Sequence, residues 1–336
     1  MDHVAIDLGG VESQICIRRP DGTIVGERRH GTSSLKKYLA TLPKSRVIVE
    51  TSAEAFGVAD AALELGHEVR VVPSGLSRSL GIGARGVKND RRDAQALSEV
   101  SCRIDLPSVH IPSQQARQRK SVIGMRDGLV AARTQLINTV RGWMRSTATR
   151  IRSGAAETFP RRVSDHFRCH KRELPRAVER QLKAIDALNE QIAEADVDLT
   201  EESNNDETCK RLMTVPGVGP VTALCLVAAV DEIARFANAH ALESYVGLVP
   251  GEDSSSTRER RTGITKAGAK RLRTALVQAA WVLRRARPKD PMVLWNVEVE
   301  QRRGKRIAVV ALARKLAGVL YAIWRDGTTY DPLHRR

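Results

Sequence analysis

The alternation of short apolar runs with amphipathic stretches over the first hundred residues restricts the possible folds more than any other feature of this chain. "HVAIDL" and "ESQICIR" have β-type composition and are separated by Gly9-Gly10, and "PDG" at residues 20–22 turns the chain into "TIVGERR". This pattern predicts a three-strand antiparallel meander. A polar helix over 33–42 follows, then a strand "RVIVE" (46–50), a helix over 54–65, a strand "EVRVV" (68–72) and helical sequence after Pro73. A meander feeding two right-handed crossovers gives one mixed sheet with helices on its faces, and sites in such sheets collect at the carboxyl ends of adjacent strands.

Beyond this α/β region the periodicity becomes helical. A long helix is expected over 113–150, with Val122, Met125, Leu129, Ala132, Leu136 and Val140 on its packing stripe. Arg119, Arg126 and Arg133 recur every seven residues beside that stripe, with Arg141 further along, and residues 111–150 hold eight Lys or Arg against one acid. The expectation is a basic ridge suited to nucleic acid. A basic, Pro-containing interruption (160–175) precedes heptads at Val178, Ile185, Ile192 and Leu199, which predict a coiled coil with the first long helix or with another subunit. The polar stretch "EESNNDET" (201–208) marks a further boundary, so the domain reading is 1–105, 106–204 and 205–336.

Charge narrows the function classes. Lys and Arg number 55 against 39 Asp and Glu, a net charge of +16, which self-repels unless a polyanion lies against it. Nucleic acid is the first partner to consider and an anionic membrane surface the second. No uninterrupted run of about 18 apolar residues is present, and the N-terminus lacks a signal-peptide layout, so the chain reads as soluble, intracellular and not membrane-bound. Five widely spaced cysteines support neither a disulfide framework nor a structural zinc site.

Four acids stand out against this basic background. Asp7 closes the first strand and Glu50 the fourth, and these strands are expected to be neighbours. Asp90 and Asp93, in "VKNDRRDAQALSEV", are three residues apart at the start of a helix. Each alone reads as a strand-end cap or an ion-pair partner of Lys88, Arg91 or Arg92. Together they form an all-oxygen set suited to Mg²⁺ or Mn²⁺, and two such ions can stabilise the entering and leaving oxygens at a phosphodiester.

"AIDLGG", "VIVETSAEAFG", "VVPSGLSRSLG" and "KNDRRDAQAL" resemble the successive motifs of the DEDD transposases, the insertion-sequence 110 family, over almost the whole chain. The resemblance implies a RuvC-like, ribonuclease H-type N-terminal domain with Asp7, Glu50, Asp90 and Asp93 as its four acids. It also implies a mostly helical C-terminal domain. "RLMTVPGVGPVTALCLVA" (211–228) matches a helix-hairpin-helix, in which backbone amides near Gly217 and Gly219 can bind phosphate, although a plain helical turn needs the same glycines. In the loop "GEDSSSTRERRTGITKAG", Arg258, Arg260, Arg261 and Lys266 suit a phosphate. The family's loop of the form "GL-x-P … SSG … G-x-ITK-x-G" carries a serine that becomes joined to DNA, and by position this is Ser255. Ser256 stands where relatives commonly have glycine, which leaves Ser254, Ser255 and Ser256 to be distinguished.

The resemblance implies an insertion-sequence transposase or recombinase of the prokaryotic cytoplasm and nucleoid, guided by a structured bridge RNA, and coiled-coil assembly through the heptads would make it a dimer or tetramer. With aromatic residues only 4% of the chain, extensive base stacking is disfavoured, and sequence choice delegated to base pairing fits better. Two other readings compete with it. A metal-dependent, Holliday-junction-type endonuclease would use water and form no covalent intermediate, and a non-catalytic basic DNA-binding protein would use the four acids structurally.

Overall fold

The computed structural model describes residues 1–74, 76, 90–252 and 261–333, in two compact units, Met1–Pro112 and Ser113–Arg336. In the first unit, β1 (His3–Asp7), β2 (Glu12–Arg18), β3 (Ile24–Gly31), β4 (Arg46–Glu50) and β5 (Glu68–Val72) form one sheet in the order β3-β2-β1-β4-β5. β1–β2 and β2–β3 are antiparallel, while β1–β4 and β4–β5 are parallel, so the expected meander and crossovers are both present. The middle residues of the central strands, Val4–Ile6 and Val47–Val49, are apolar because both faces are covered. Val4, Ile6, Val47 and Val49 pack with residues of α1 (Leu35–Leu39) and α2 (Ala55–Glu64), whereas Ala5, Ile48 and Val72 pack with Leu97 of α3 (Asp90–Arg103). The helix expected over 33–42 is shorter, a 3₁₀ turn at Thr32–Ser34 followed by α1. After the sheet, the backbone N–H of Val109 donates to the Val71 carbonyl at 2.8 Å, and the Val71 N–H donates to Ser108 Oγ at 3.0 Å, so residues 108–109 lie along β5.

The second unit is built on two long helices, α4 (Gln114–Ser146) and α6 (Arg176–Asn204), which pack together. Arg119 pairs with Glu202, Arg126 with Asp196, and Arg133 hydrogen-bonds Asn189, so the partner number falls as the arginine number rises and the helices are antiparallel. The heptad residues Val178, Ile185, Ile192 and Leu199 are all buried, and the second long helix folds back onto the first. The packing stripe predicted for α4 holds in part, since Val140 is buried and Val122 and Leu136 pack against the cores, and is otherwise corrected, with Ala132 exposed. Met125 is 66% exposed, and the buried positions are Ala116, Arg119, Ile123, Arg133, Ile137, Val140 and Met144. The interruption expected at 160–175 is also corrected, since α5 (Phe159–Cys169) is helical with Pro160 in its first turn, where proline's missing N–H costs nothing.

The polar stretch 201–208 spans the end of α6 and the start of α7 (Glu207–Leu212), whose N-cap Asp206 accepts from the Cys209 N–H. α8 (Pro220–Val230), α9 (Ala239–Val246), α10 (Lys270–Ala286), α11 (Pro291–Arg303) and α12 (Lys305–Asp326) surround the largest core. α12 is long and apolar enough by length and composition to cross a membrane. Leu312, Ala313, Leu316 and Leu320 on it are nevertheless fully buried against the other helices, as in the core helix of a globular unit.

All five cysteines are free thiols. Burial pushes the Cys209 and Cys225 thiols up to about 12, whereas Cys169 is exposed. Alkylation of the native protein at about pH 8 is therefore expected to modify Cys169 first and to leave Cys209 and Cys225 intact until denaturant is added, as read by peptide mass.

Candidate active site

The four acids are brought to one end of one face of the sheet. β1 and β4 run parallel with Ile6 opposite Val49, and the next residues of the two strands are Asp7 and Glu50. Alternation along each strand puts Asp7 on the face of Ala5 and Glu50 on the face of Ile48, which is the face covered by α3. Four contacts fix the direction of α3. Ser101 Oγ lies 2.7 Å from His3 Nδ1, Ser98 Oγ accepts from Arg18 Nε at 3.1 Å, and Gln95 and Arg91 donate to Glu27 of β3. The helix thus runs antiparallel to β1, and its first turn, carrying Asp90 and Asp93, is at the end where β1 and β4 terminate. Small residues Ala94, Ser98 and Ser101 on the buried face of α3 allow this approach to the sheet.

Arg91 is paired away from the two aspartates. Its guanidinium reaches Glu27, and hydrogen bonds from Arg91 and Gln95 hold that carboxyl below its usual range. Among the described residues, Asp90 and Asp93 make no ion pair. Asp90 is exposed and Asp93 half-buried. The side chains do not form a closed ligand cage, because among the described residues no three of His, Cys, Asp and Glu are close enough together to hold a metal ion. The donor set still fits a hard divalent cation, being all carboxylate oxygen at one strand-end edge.

In the second unit, the stretch 211–228 read as a helix-hairpin-helix comprises the end of α7, a connection at 213–219 and most of α8. Gly217 has φ +90°, and a Cβ there would lie 2.6 Å from the Ala279 carbonyl oxygen, so no other residue fits without displacing backbone. Gly219 is the N-cap of α8. The strands β6 (Pro250–Glu252) and β7 (Arg261–Ile264) pair antiparallel and flank residues 253–260. Ser255, Arg258 and Arg260 lie outside the described residues, as do the alternatives Ser254 and Ser256. After β7, the Lys266 N–H donates to the Gly247 carbonyl, and Gly268, with φ +65°, sits where a Cβ would be 2.1 Å from the Tyr245 carbonyl oxygen. The glycine that closes the "ITK-x-G" segment is therefore required by close backbone contact.

The arginine row of α4 occupies a different place from the open ridge expected for it. Arg119 is 6% exposed and bonds Glu202 and Asp206 at 2.8 Å each. Arg126 Nε is 2.8 Å from Asp196, and Arg133 is 2.9 Å from Glu157. Seven-residue spacing keeps side chains nearly in line on a helix, and here that line is the seam with α6, whose own polar residues Asn189 and Asp196 repeat at the same interval. Only Arg141 departs from this, its guanidinium lying 5.3 Å from the centroid of the Phe159 ring.

Residues 4–148 match a family model of the DEDD transposases of IS110 elements, described as "Transposase", and residues 209–292 match the "Transposase IS116/IS110/IS902 family". The chain belongs to the IS110 family of transposases. This transposase is 28% identical to the transposase for insertion sequence element IS1111A of Coxiella burnetii over 97% of this chain and 90% of that one. It is 28% identical to the transposase for IS1328 of Yersinia enterocolitica over 98% of both chains. A shorter likeness, 31% over 36% of this chain and 38% of the other, is to the pilin gene-inverting protein of Moraxella bovis. The mixed five-stranded sheet is consistent with a RuvC-like DEDD domain, and such a domain points to a divalent metal ion. The transposase is a DNA-recombining enzyme and its partner is DNA.

Proposed function

We propose that this insertion-sequence transposase cuts and rejoins donor and target DNA through a covalent link between DNA and Ser255. Asp7, Glu50, Asp90 and Asp93 would hold Mg²⁺ or Mn²⁺, and a structured bridge RNA would select the sequences joined. The observation that carries the proposal is the arrival of four carboxylates at one sheet edge, two of them on a helix whose nearby arginine is committed elsewhere, to Glu27. A divalent ion there would supply Lewis-acid stabilisation of charge at the phosphodiester. The chain's own part is to hold the acids in register, β1 against β4, and to anchor the start of α3 through Arg91 and Gln95. The glycine-dependent turn before α8 is read as a helix-hairpin-helix that contacts phosphate, together with Arg258, Arg260, Arg261 and Lys266. RNA guidance rests on the family resemblance and on the scarcity of aromatic side chains, whereas the heptads read as grounds for a dimer or tetramer pack onto α4 within the chain.

The test combines purified protein, Mg²⁺, DNA spanning both element ends and RNA transcribed from the flanking region. Strand cleavage and a protein–DNA adduct on a denaturing gel are expected, and omission of the RNA should remove sequence selection. Asp7→Asn should lower cleavage on the order of 10³-fold, the scale of losing one group that stabilises transition-state charge, with the melting temperature little changed because Asp7 ends a strand outside the apolar core. Cleavage by Asp7→Asn at the parent rate would sink the metal-site reading and favour a structural role for the acids.

A further inference from the structure

A cavity of about 620 Å³ opens in the second unit between α4, the start of α8 and the first turns of α10. Its lining is apolar, uncharged polar and charged, the charged residues being Arg126, Lys270, Arg271 and one acid, Asp127. Val221, Cys225 and Ala275 supply apolar wall, while Thr222 and Gln278 supply uncharged hydrogen-bonding groups. Cations stand around it, but they differ in availability. Arg126 is held by Asp196, and Arg271 by Asp127 at 2.7 Å and by the Lys120 carbonyl at 3.2 Å. Lys270 is exposed and, among the described residues, makes no ion pair. It is also the first residue of a 17-residue helix, whose N-terminal end favours negative charge.

This combination discriminates between ligand classes. A bare anion has no use for the apolar wall, and a purely apolar ligand has none for Lys270, Thr222 and Gln278. A nucleotide needs both, since its base has apolar faces and a hydrogen-bonding edge while its phosphate carries charge. The volume lies within the range of about 300–1,000 Å³ found for small-molecule sites. A chain poor in aromatic side chains also has few platforms on which to stack an unpaired base, and an apolar recess is the other way to shelter one.

We infer that this cavity receives one nucleotide unstacked from a nucleic acid strand. The base lies against Val221, Cys225 and Ala275, its edge meets Thr222 and Gln278, and its phosphate is held by Lys270. The inference rests on the family's DNA partner and does not depend on the serine chemistry. The probe is a single-stranded hexamer with one central 2-aminopurine, in DNA and RNA forms, titrated with full-length protein in EDTA.

A saturable change in emission with either strand is expected. Lys270→Ala, at an exposed position that leaves folding untouched, should weaken it by at least about tenfold. Ala275→Phe should remove the response by filling the recess, with thermal melting checked alongside. No response with either strand, a response that survives Ala275→Phe in a folded protein, or displacement of the hexamer by inorganic phosphate as readily as by nucleoside monophosphate would each overturn the inference. Because no metal is present and no cleavage is read, this assay and the adduct assay can fail independently.

Discussion

A transposase carrying Ser255→Ala is expected to form no covalent adduct with DNA under conditions in which the parent protein does, while Ser254→Ala and Ser256→Ala retain it. The expected loss is complete because alanine lacks the oxygen that would enter the phosphodiester, and no adjustment elsewhere restores a missing nucleophile. A serine hydroxyl is a weak nucleophile at neutral pH, so the basic residues that follow it, Arg258, Arg260 and Arg261, are expected to matter by holding the phosphate and stabilising its charge. The three single variants also separate the competing chemistries. If Ser256→Ala alone loses the adduct, the nucleophile is one position further along. If all three cleave DNA without any adduct in the parent, water is the nucleophile and the protein is a metal-dependent nuclease.

The second large effect concerns stability. Arg119→Ala should destabilise the second unit by about 2–3 kcal/mol, the scale of losing charge-assisted hydrogen bonds from a buried side chain, and lower its melting temperature by roughly 8 °C. Arg119 is almost wholly buried and is shared between Glu202 and Asp206, so its removal strands two carboxylates at the junction of α6 and α7. Burial pushes the Asp206 carboxyl up, but hydrogen bonds from the Cys209 N–H and from Arg119 outweigh this and hold it below its ordinary value. A carboxyl with a lowered pKa stabilises the fold fully above its ordinary value and loses that contribution as the pH falls below about 4. Part of this acid sensitivity should be missing in Arg119→Ala, so thermal melts of parent and variant should converge at low pH. Equal separation of the two melting curves at every pH would show that Asp206 is not coupled to Arg119.

What could be read from the sequence followed from how local the signal was. Four of the five strands were legible because each is a short, mostly apolar run bounded by glycine, proline or charge, the polar β3 because "PDG" turns the chain back beside β2, and their order forces Asp7 and Glu50 onto neighbouring strand ends. The face of α4 was not. Arg119 and Arg133 count as polar in any hydropathy pattern, yet their stems pack in the seam and their guanidinium groups are neutralised by residues some 24 to 87 positions away. Pro160 looked like a helix breaker because its meaning depends on whether it stands first or inside, which neighbouring sequence did not decide. The cavity beside α8 left no motif, since its walls come from residues around 126, 222 and 275 that only the packing of three helices brings together.

The first sheet has two outer strands, and neither is left as a plain hydrogen-bonding edge. Along β5, residues 108–109 already occupy the groups of Val71 that face outward. Along β3, the run Glu27, Arg28 and Arg29 puts charge on the other border. Both devices oppose the addition of a foreign strand. For a unit built on one open sheet this is protection against aggregation, and it leaves growth of the sheet from one molecule into the next without a template.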